Sequence, residues 1–554
     1  MSSPATGGMA IGGAGYAYNP DNQAMNRETM TSDQAENARQ KSAAVMEALR
    51  SGESGAADKA MGQSAGTGGA SLGTWARLKN KLGKREPTMA ADGRGLDDDD
   101  SVLFDHQPAT HRTMFQFRIP SLPTWHALGG GGIRVPKPEV HDVEERPEKR
   151  ARTLKHLLKA NHINHSIIYN DLRFHNHTPH ILGSAYIFGA QSEQLTEVYE
   201  AEGKHLEPWK DSPGEISKHD WRDFLGKRQY QRAYLDFFED QLVSHGYDWQ
   251  ALLREFLLEG KEPLINNLIA GLGHPLIHLG YAQELSSRTV AIESLVLATC
   301  FYNDWHVFLD DPKYTKPSAS PSDSLFTIVE RIRHDKVFDG LFDRQGSDNI
   351  DTLLSNEEAA AKALEYWNQW DLKKPSEQFA ESQKVAVALV VAAQGTDHAE
   401  RSNKYDFFAV HLLTTSHAVR ILLSWLPSKY HIPLVRQWWL FVVLVYIAQM
   451  RPTVNIDRIK LVELEGRDWK FVIDRALKGR YRTDAHYVKA LRCMHEASKT
   501  WGDANQYYLK AAVKMAEEFD GWGGFGPREV PEEVHHGDGR LARRYSGQGG
   551  ALGE

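Results

Sequence analysis

Several of the 25 histidines fall at spacings that metal sites use. His274 and His278 are four residues apart in GLGHPLIHLGYAQE, so both imidazoles would lie on one face of a helix. His177 and His180 are three apart in FHNHTPHILGSAYIFGA, and His411 stands among apolar residues in DFFAVHLLTTSHAVRIL. A buried imidazole needs a hydrogen-bond partner or a metal ion. The pattern therefore predicts either structural core histidines or a histidine-bound metal.

The remaining donors narrow the choice of metal. Cys300 and Cys493 are the only cysteines, and neither has a CxxC or zinc-finger spacing, so neither a thiolate cage nor a disulfide framework is expected. Imidazole favours Zn, Cu, Fe or Ni, and four imidazoles with one oxygen ligand suit iron. Lys489 lies in an apolar run, where a desolvated lysine loses its proton readily and can take up CO2 as an anionic carbamate. The plain alternative is a surface lysine whose stem covers apolar neighbours.

The segments that carry these residues have helical periodicity. Apolar residues recur at helical spacing from about 151 to 520, including the runs Val290–Tyr302, Phe407–Trp425 and Leu434–Ala448. Strand-like alternation is scarce, so the sequence predicts an all-α fold, a large multi-helix domain around a central cavity. Pro179 indicates the first turn of a helix. The region 307–380 is rich in Asp, Ser and Pro and is predicted to be an irregular insertion with one or two helices.

Composition divides the chain into four segments. Residues 1–100 are predicted to be a disordered tail, 101–150 a Pro/Gly-rich arm, 151–520 a large helical domain, and 521–554 a loose C-terminal tail. No signal peptide is predicted, and the apolar segment 438–448 is too short to span a bilayer, so a buried core helix and a cytoplasmic location are expected. The net charge of −8 argues against nucleic-acid binding.

The glycine run Gly129–Gly132 is not expected to form a dinucleotide-binding loop. No strand–turn–helix pattern surrounds it, and the GxGxxG fingerprint is missing from the chain. A flavin held by an ordinary dinucleotide-binding fold is therefore not expected.

Five motifs together resemble the questin oxidase-like family of fungal Baeyer–Villiger-type oxidases. FHNHTPHILGSAYIFGA, WRDFLGKRQYQRAYLDFFED, GLGHPLIHLGYAQE, KYDFFAVHLLTTS and DAHYVKALR occur in the family's order between about 151 and 505. The resemblance implies O2-dependent cleavage of a hydroxyanthraquinone-like ring, with NADPH as a reductant in several members. It also implies a set of metal ligands: His274, His278, His411, either His177 or His180 as the fourth imidazole, and Lys489 as a carboxylated ligand.

The expected function is therefore oxidation of an aromatic polyketide by O2 at a histidine-bound iron(II). Tyr186, Tyr281 and Phe408 are candidates for lining a flat substrate pocket, although each can equally be a core residue. Two alternatives remain open. The first is a metal-free NADPH-dependent oxidase that uses the histidines as acid–base groups. The second is a non-catalytic helical scaffold, in which the buried histidines would be costly without a purpose.

Overall fold

The computed structural model describes residues 132–394 and 404–525, and within these ranges the regular secondary structure is almost all helix. The predicted all-α fold is confirmed. The eighteen α-helices of the described ranges are α1 (Lys149–Asn164), α2 (Thr178–Ile187), α3 (Ser192–Gly203), α4 (Gln231–Ser244), α5 (Trp249–Leu258), α6 (His274–Leu285), α7 (Arg288–Cys300), α8 (Val307–Asp310), α9 (Leu325–His334), α10 (Asn349–Ser355), α11 (Glu357–Gln369), α12 (Pro375–Val391), α13 (Ala409–Leu423), α14 (His431–Ala448), α15 (Asp457–Lys460), α16 (Trp469–Lys478), α17 (Ala485–Trp501) and α18 (Tyr507–Glu518).

The strands of the described ranges are two residues long and form three separate pairs. They are β1 (Ile168–Tyr169), β2 (Phe174–His175), β3 (Ala393–Gln394), β4 (Tyr405–Asp406), β5 (Thr453–Val454) and β6 (Trp522–Gly523). β1 pairs with β2 and β3 with β5, both antiparallel, and β4 pairs with β6 in parallel. These short pairs join loops to the helical body.

A group of buried helices forms the centre of the domain. All fifteen residues of α13 are buried, as are Thr289–Cys300 of α7. A helix that is buried on all sides has to be enclosed by other helices. Helix α6 packs against α7 and α13, and α17 packs against α2, α13 and α18. The polar side chains of these helices, the candidate histidines among them, are therefore carried into the interior.

The three helical runs named from the sequence coincide with α7, α13 and α14, which confirms them. The region 307–380 contains more helix than predicted, because α8 to α11 all lie in it. Its polar residues are helix caps as well as loop residues. The side chain of Ser324 accepts a hydrogen bond from the backbone of Thr327, and that of Asn356 accepts one from Ala359.

Helix α14 and the turn before it, Ser428–Ala448, form the one stretch in the described ranges that is long and apolar enough to cross a membrane. Its most apolar window is 89% buried inside the protein. Trp438 and Trp439 have no exposed surface, and the indole of Trp438 donates a hydrogen bond to the carbonyl of Leu412 at 3.0 Å. The predicted core helix is confirmed.

The predicted segment boundaries are only partly within the described ranges. The predicted disordered tail 1–100 and most of the arm lie outside them, and residues 132–148 of the arm have no helix or strand before α1 begins. At the other end, residues 526–554 lie outside the described ranges. The predicted loose tail starts at 521, whereas the structure pairs β6 with β4 and leaves Trp522 only 3% exposed. The packed chain thus extends to about residue 525.

Candidate metal centre and its cavity

Four histidines from four separate segments meet in the interior. One ring nitrogen from each of His177, His274, His411 and His486 lies within 4.8 Å of the others. Nε2 of His177 is 2.8 Å from Nε2 of His274, and Nε2 of His486 is 3.2 Å from Nε2 of His411. Bonds of about 2.1 Å to one ion place ligand atoms up to about 4.2 Å apart, so small side-chain movements would fit these nitrogens to a single metal.

Local backbone structure aims each ring at this point. His274 is the first residue of α6 and follows Gly273, whose left-handed backbone (φ 75°) turns the chain into the helix. His177 immediately precedes α2, with proline in the helix's first turn as predicted. His411 lies in the first turn of α13. His486 follows Asp484, which caps α17 by accepting a hydrogen bond from the third residue of that helix.

Hydrogen bonds fix the tautomers of two of these imidazoles. Nδ1 of His274 is 2.8 Å from the carbonyl oxygen of Gly271, and Nδ1 of His411 is 2.8 Å from that of Phe407. A carbonyl oxygen can only accept, so both Nδ1 atoms carry the proton and both Nε2 atoms present a lone pair to the cluster. This second hydrogen bond to a carbonyl is the arrangement that orients histidine ligands in metal sites.

The environment keeps the cluster neutral. Burial lowers the pKa of His177, His274, His411 and His486 well below the ordinary histidine value, and the nearby charge of Lys489 lowers each further. Neutral imidazole is the form that binds metal. The donor set therefore fits a borderline metal ion such as iron or zinc.

A second pair of histidines lies one helical turn away. Nε2 of His180 on α2 is 2.7 Å from Nδ1 of His278 on α6. Nε2 of His278 is 3.8 Å from a carboxylate oxygen of Glu293, whose other oxygen is 2.9 Å from Nδ1 of His162. His162 also contacts Glu239, and the two carboxylates raise its pKa to about 9 although burial alone would lower it. This pair therefore faces a carboxylate on one side, while on the other side the ring of His180 lies 5.5 Å from that of His177 in the cluster.

Lys489 is a buried cation one turn along α17 from His486. It has no exposed surface, and its Nζ has no hydrogen-bond partner among the described residues. Burial lowers the pKa of Lys489 to about 7. An orphaned buried amine is costly, so this residue is held for a reason other than packing.

A cavity of about 810 Å³ opens onto the cluster. Its lining includes His177, His274 and His486, together with His175, whose ring stacks on His274 at 3.6 Å between centroids. The rest of the wall is rich in aromatic side chains, namely Tyr169, Phe174, Phe301, Trp305, Phe407, Phe408, Phe441, Trp522 and Phe525. Such a wall suits a flat aromatic ligand of drug-like size.

The structure places the predicted site residues in different parts of the site. Of the six predicted ligands, it brings His177, His274 and His411 into the cluster. His180 and His278 lie in the adjacent pair, and Lys489 lies beside the cluster.

Of the three predicted pocket residues, Phe408 lines the cavity, whereas Tyr186 and Tyr281 are not among its lining residues. Tyr186 stacks under the guanidinium of Arg150, and the hydroxyl of Tyr281 is 2.6 Å from that of Ser184.

The residues of this site fall within a match to a known protein family. A family model described as questin oxidase-like matches residues 174–494, which include all four clustered histidines and Lys489. This chain belongs to the questin oxidase-like family. The resemblance expected from the five motifs is thereby confirmed, and the protein is an oxidoreductase.

Several fungal oxidoreductases are similar to this chain over most of their own length. The Baeyer–Villiger oxidase ptaJ of Pestalotiopsis fici is 23% identical over 382 residues, covering 64% of this chain and 82% of that protein. The questin oxidase of Aspergillus fumigatus is 24% identical over 374 residues, with coverage of 64% and 82%. Oxidoreductase AflY of Aspergillus parasiticus is 23% identical over 395 residues, with coverage of 67% and 78%.

Proposed function

We propose that this questin oxidase-like protein uses O2 to cleave a ring of an anthraquinone-like aromatic polyketide by Baeyer–Villiger-type oxidation, at a non-haem iron bound by histidines. One observation carries the proposal: four neutral imidazoles converge at the wall of an aromatic-lined cavity of about 810 Å³. The names of the fungal relatives, Baeyer–Villiger oxidase and questin oxidase, support the reaction type.

The proposed Baeyer–Villiger reaction balances when a nicotinamide cofactor is the reductant. A ketone, O2, NADPH and a proton give an ester or lactone, water and NADP⁺, so one oxygen atom enters the ring and the other leaves as water. Iron(II) held by the four histidines would supply the activation of O2. A cytosolic setting agrees with this reductant and remains a prediction from the sequence.

The chain's own residues position the reactants. His177, His274, His411 and His486 would hold the metal, and the carbonyls of Gly271 and Phe407 keep two of the rings in register. The aromatic wall excludes water from the flat substrate and orients its reacting carbon toward the cluster.

We further propose that Lys489 completes the donor set as a carbamate. Its neutral amine adds to CO2 and releases one proton, leaving an anionic oxygen donor in place of an orphaned amine. The buried position and unpartnered Nζ of Lys489 support this assignment.

Metal analysis by plasma mass spectrometry of protein purified without oxygen tests the proposal. About one iron per chain is expected, lost in His274→Ala and His486→Ala and retained in His278→Gln, the matched control from the adjacent pair. Iron lost in the control but kept in His486→Ala would move the site to the His180–His278 pair. Protein without iron that turns over substrate with NADPH would favour the metal-free oxidase.

A further inference from the structure

Arg228 is a cation in the cavity wall that lacks a counter-ion. It lies in the single turn of 3₁₀-helix that precedes α4, is exposed, and lines the cavity. Within the described ranges it makes no salt bridge, although acidic residues occur elsewhere in the lining. A guanidinium keeps its charge at every physiological pH, so Arg228 provides a permanent positive charge in this part of the cavity wall.

Two contacts hold the guanidinium in place and leave most of its donors available. One Nη atom donates a hydrogen bond to the carbonyl oxygen of Leu172 at 3.1 Å, and the Cζ atom lies 4.4 Å over the ring of Phe301. Of its five N–H groups, one is used in the part of the chain that the structure describes. The side chain is thus positioned for a partner that the protein itself does not provide.

A row of side chains in ring contact connects Arg228 with the histidine cluster. The ring of Phe301 is 4.5 Å from that of His175, which stacks on the cluster ligand His274 at 3.6 Å. The guanidinium, Phe301 and His175 therefore form one continuous flank that leads from the cluster into the cavity. The steps along this flank are 4.4 Å, 4.5 Å and 3.6 Å between neighbouring groups, so the guanidinium and the cluster border the same part of the cavity.

We propose that Arg228 binds an anionic oxygen, a carboxylate or an ionised phenol, at the end of the aromatic substrate that lies away from the histidine cluster. The inference rests on the proposed aromatic substrate and adds its charge and its orientation. Arginine binds carboxylates through paired, charge-assisted hydrogen bonds, which are shorter and stronger than neutral ones. Anchoring one end in this way would place the other end of the ring system at the cluster.

Direct binding measurements on the full chain test the inference without any turnover. The probes are anthraquinone-2-carboxylate and its neutral counterpart anthraquinone-2-carboxamide. Binding of each probe is measured by the quenching of tryptophan fluorescence. The wild type is expected to bind the carboxylate at least about tenfold more tightly than the carboxamide, the size of one charged hydrogen bond. In Arg228→Gln that preference is expected to vanish, and in Arg228→Lys it is expected to fall only in part.

Arg173→Gln is the matched control, because Arg173 also lines the cavity but is hydrogen-bonded to Asn170. It is expected to change the preference less than threefold. An equal loss in both glutamine variants would show a diffuse positive field and overturn the assignment to Arg228. Equal binding of the two probes by the wild type would overturn it as well.

A third probe separates the two possible anions. 2-Hydroxyanthraquinone, measured below and above the pKa of its phenol, shows whether an ionised phenol is bound as well as a carboxylate; a preference for either anion that depends on Arg228 supports the inference. Metal-free protein serves equally well in these titrations. Failure of the iron proposal would therefore leave the binding result unchanged, and iron-loaded protein without anion preference would refute this inference alone.

Discussion

Replacement of Lys489 by methionine is expected to make the metal-free protein more stable. The amine is fully buried, has no hydrogen-bond partner among the described residues, and has a pKa lowered by burial to about 7. Methionine has a similar length and no polar atom, so it fills the space without the electrostatic cost. A core substitution that stabilises a protein is unusual, and it indicates that the natural residue is kept for function.

The expected gain follows from the two pKa values. The ordinary lysine value is 10.5, so the unfolded chain binds a proton more readily than the folded one. At pH 7 this difference corresponds to about 4 kcal/mol, and at pH 9 to about 2 kcal/mol, using about 1.36 kcal/mol per pKa unit. Because the folded-state pKa is lowered, the penalty is full below pH 7 and disappears as the pH rises through 10.5.

Urea unfolding in CO2-free buffer is the assay. Lys489→Met is expected to raise the urea midpoint at pH 7 by on the order of 1 M, and by about half as much at pH 9. Lys514→Met is the matched control, because Lys514 is also nearly buried but forms a salt bridge of 2.6 Å with Glu518. The control is expected to gain no stability. A Lys489→Met protein no more stable than the wild type at pH 7 would refute the reasoning and reveal a partner for the amine.

The same preparations test the carbamate. Bicarbonate is expected to stabilise wild-type protein and to leave Lys489→Met unchanged. Native mass spectrometry should show the added mass of one CO2 on the wild type alone.

Three further substitutions test the surroundings of the site by urea unfolding. Gly273→Ala is expected to cost more than about 2 kcal/mol, because left-handed backbone is unfavourable for alanine and its Cβ would lie 2.4 Å from Cγ2 of Thr415. Arg492→Met is expected to cost about 3–5 kcal/mol, since it leaves the buried carboxylate of Glu284 without the cation 2.9 Å away. His162→Phe is expected to remove a stabilisation that is complete below pH 6.5 and is lost as the pH rises to about 9, the raised pKa of His162.

Paired substitutions provide the controls for these predictions. Adding Thr415→Ser should recover part of the loss in Gly273→Ala, and adding Glu284→Gln should recover part of the loss in Arg492→Met. No recovery in either pair would assign the cost to a different contact. A His162→Phe protein whose stability follows the same pH profile as the wild type would contradict the third prediction.

Sequence periodicity was sufficient to predict the helices, but it could not predict that the histidines divide into two groups. The pairs His177/His180 and His274/His278 each look like one site on one helix face. In the structure, α2 and α6 lie side by side, so each pair is divided between two levels one turn apart. The spacing of two residues in a sequence predicts whether they share one face of a helix. Which residues of a neighbouring helix they contact depends on how the two helices pack.

His486 was the ligand candidate that sequence reasoning missed, although a signal was present. It lies three residues before Lys489 in DAHYVKALR, so both side chains share a face of α17. The cavity wall was harder to predict, because Phe301 comes from a segment outside the five motifs and Arg228, although it lies in WRDFLGKRQYQRAYLDFFED, has no spacing that marks it as a binding residue. Only packing of remote elements brings them to one flank.

The origin of the four histidines also has a consequence for folding kinetics. His177 and His274 are 97 residues apart, and His411 and His486 are 75 apart. Closing such long loops is slow and entropically costly, so the cluster cannot form before the helices that carry it have docked. An ion bound by all four would then act mainly on the reverse reaction, delaying unfolding while leaving the rate of folding almost unchanged. Metal loading would thereby set the protein's lifetime against proteolysis as well as its activity.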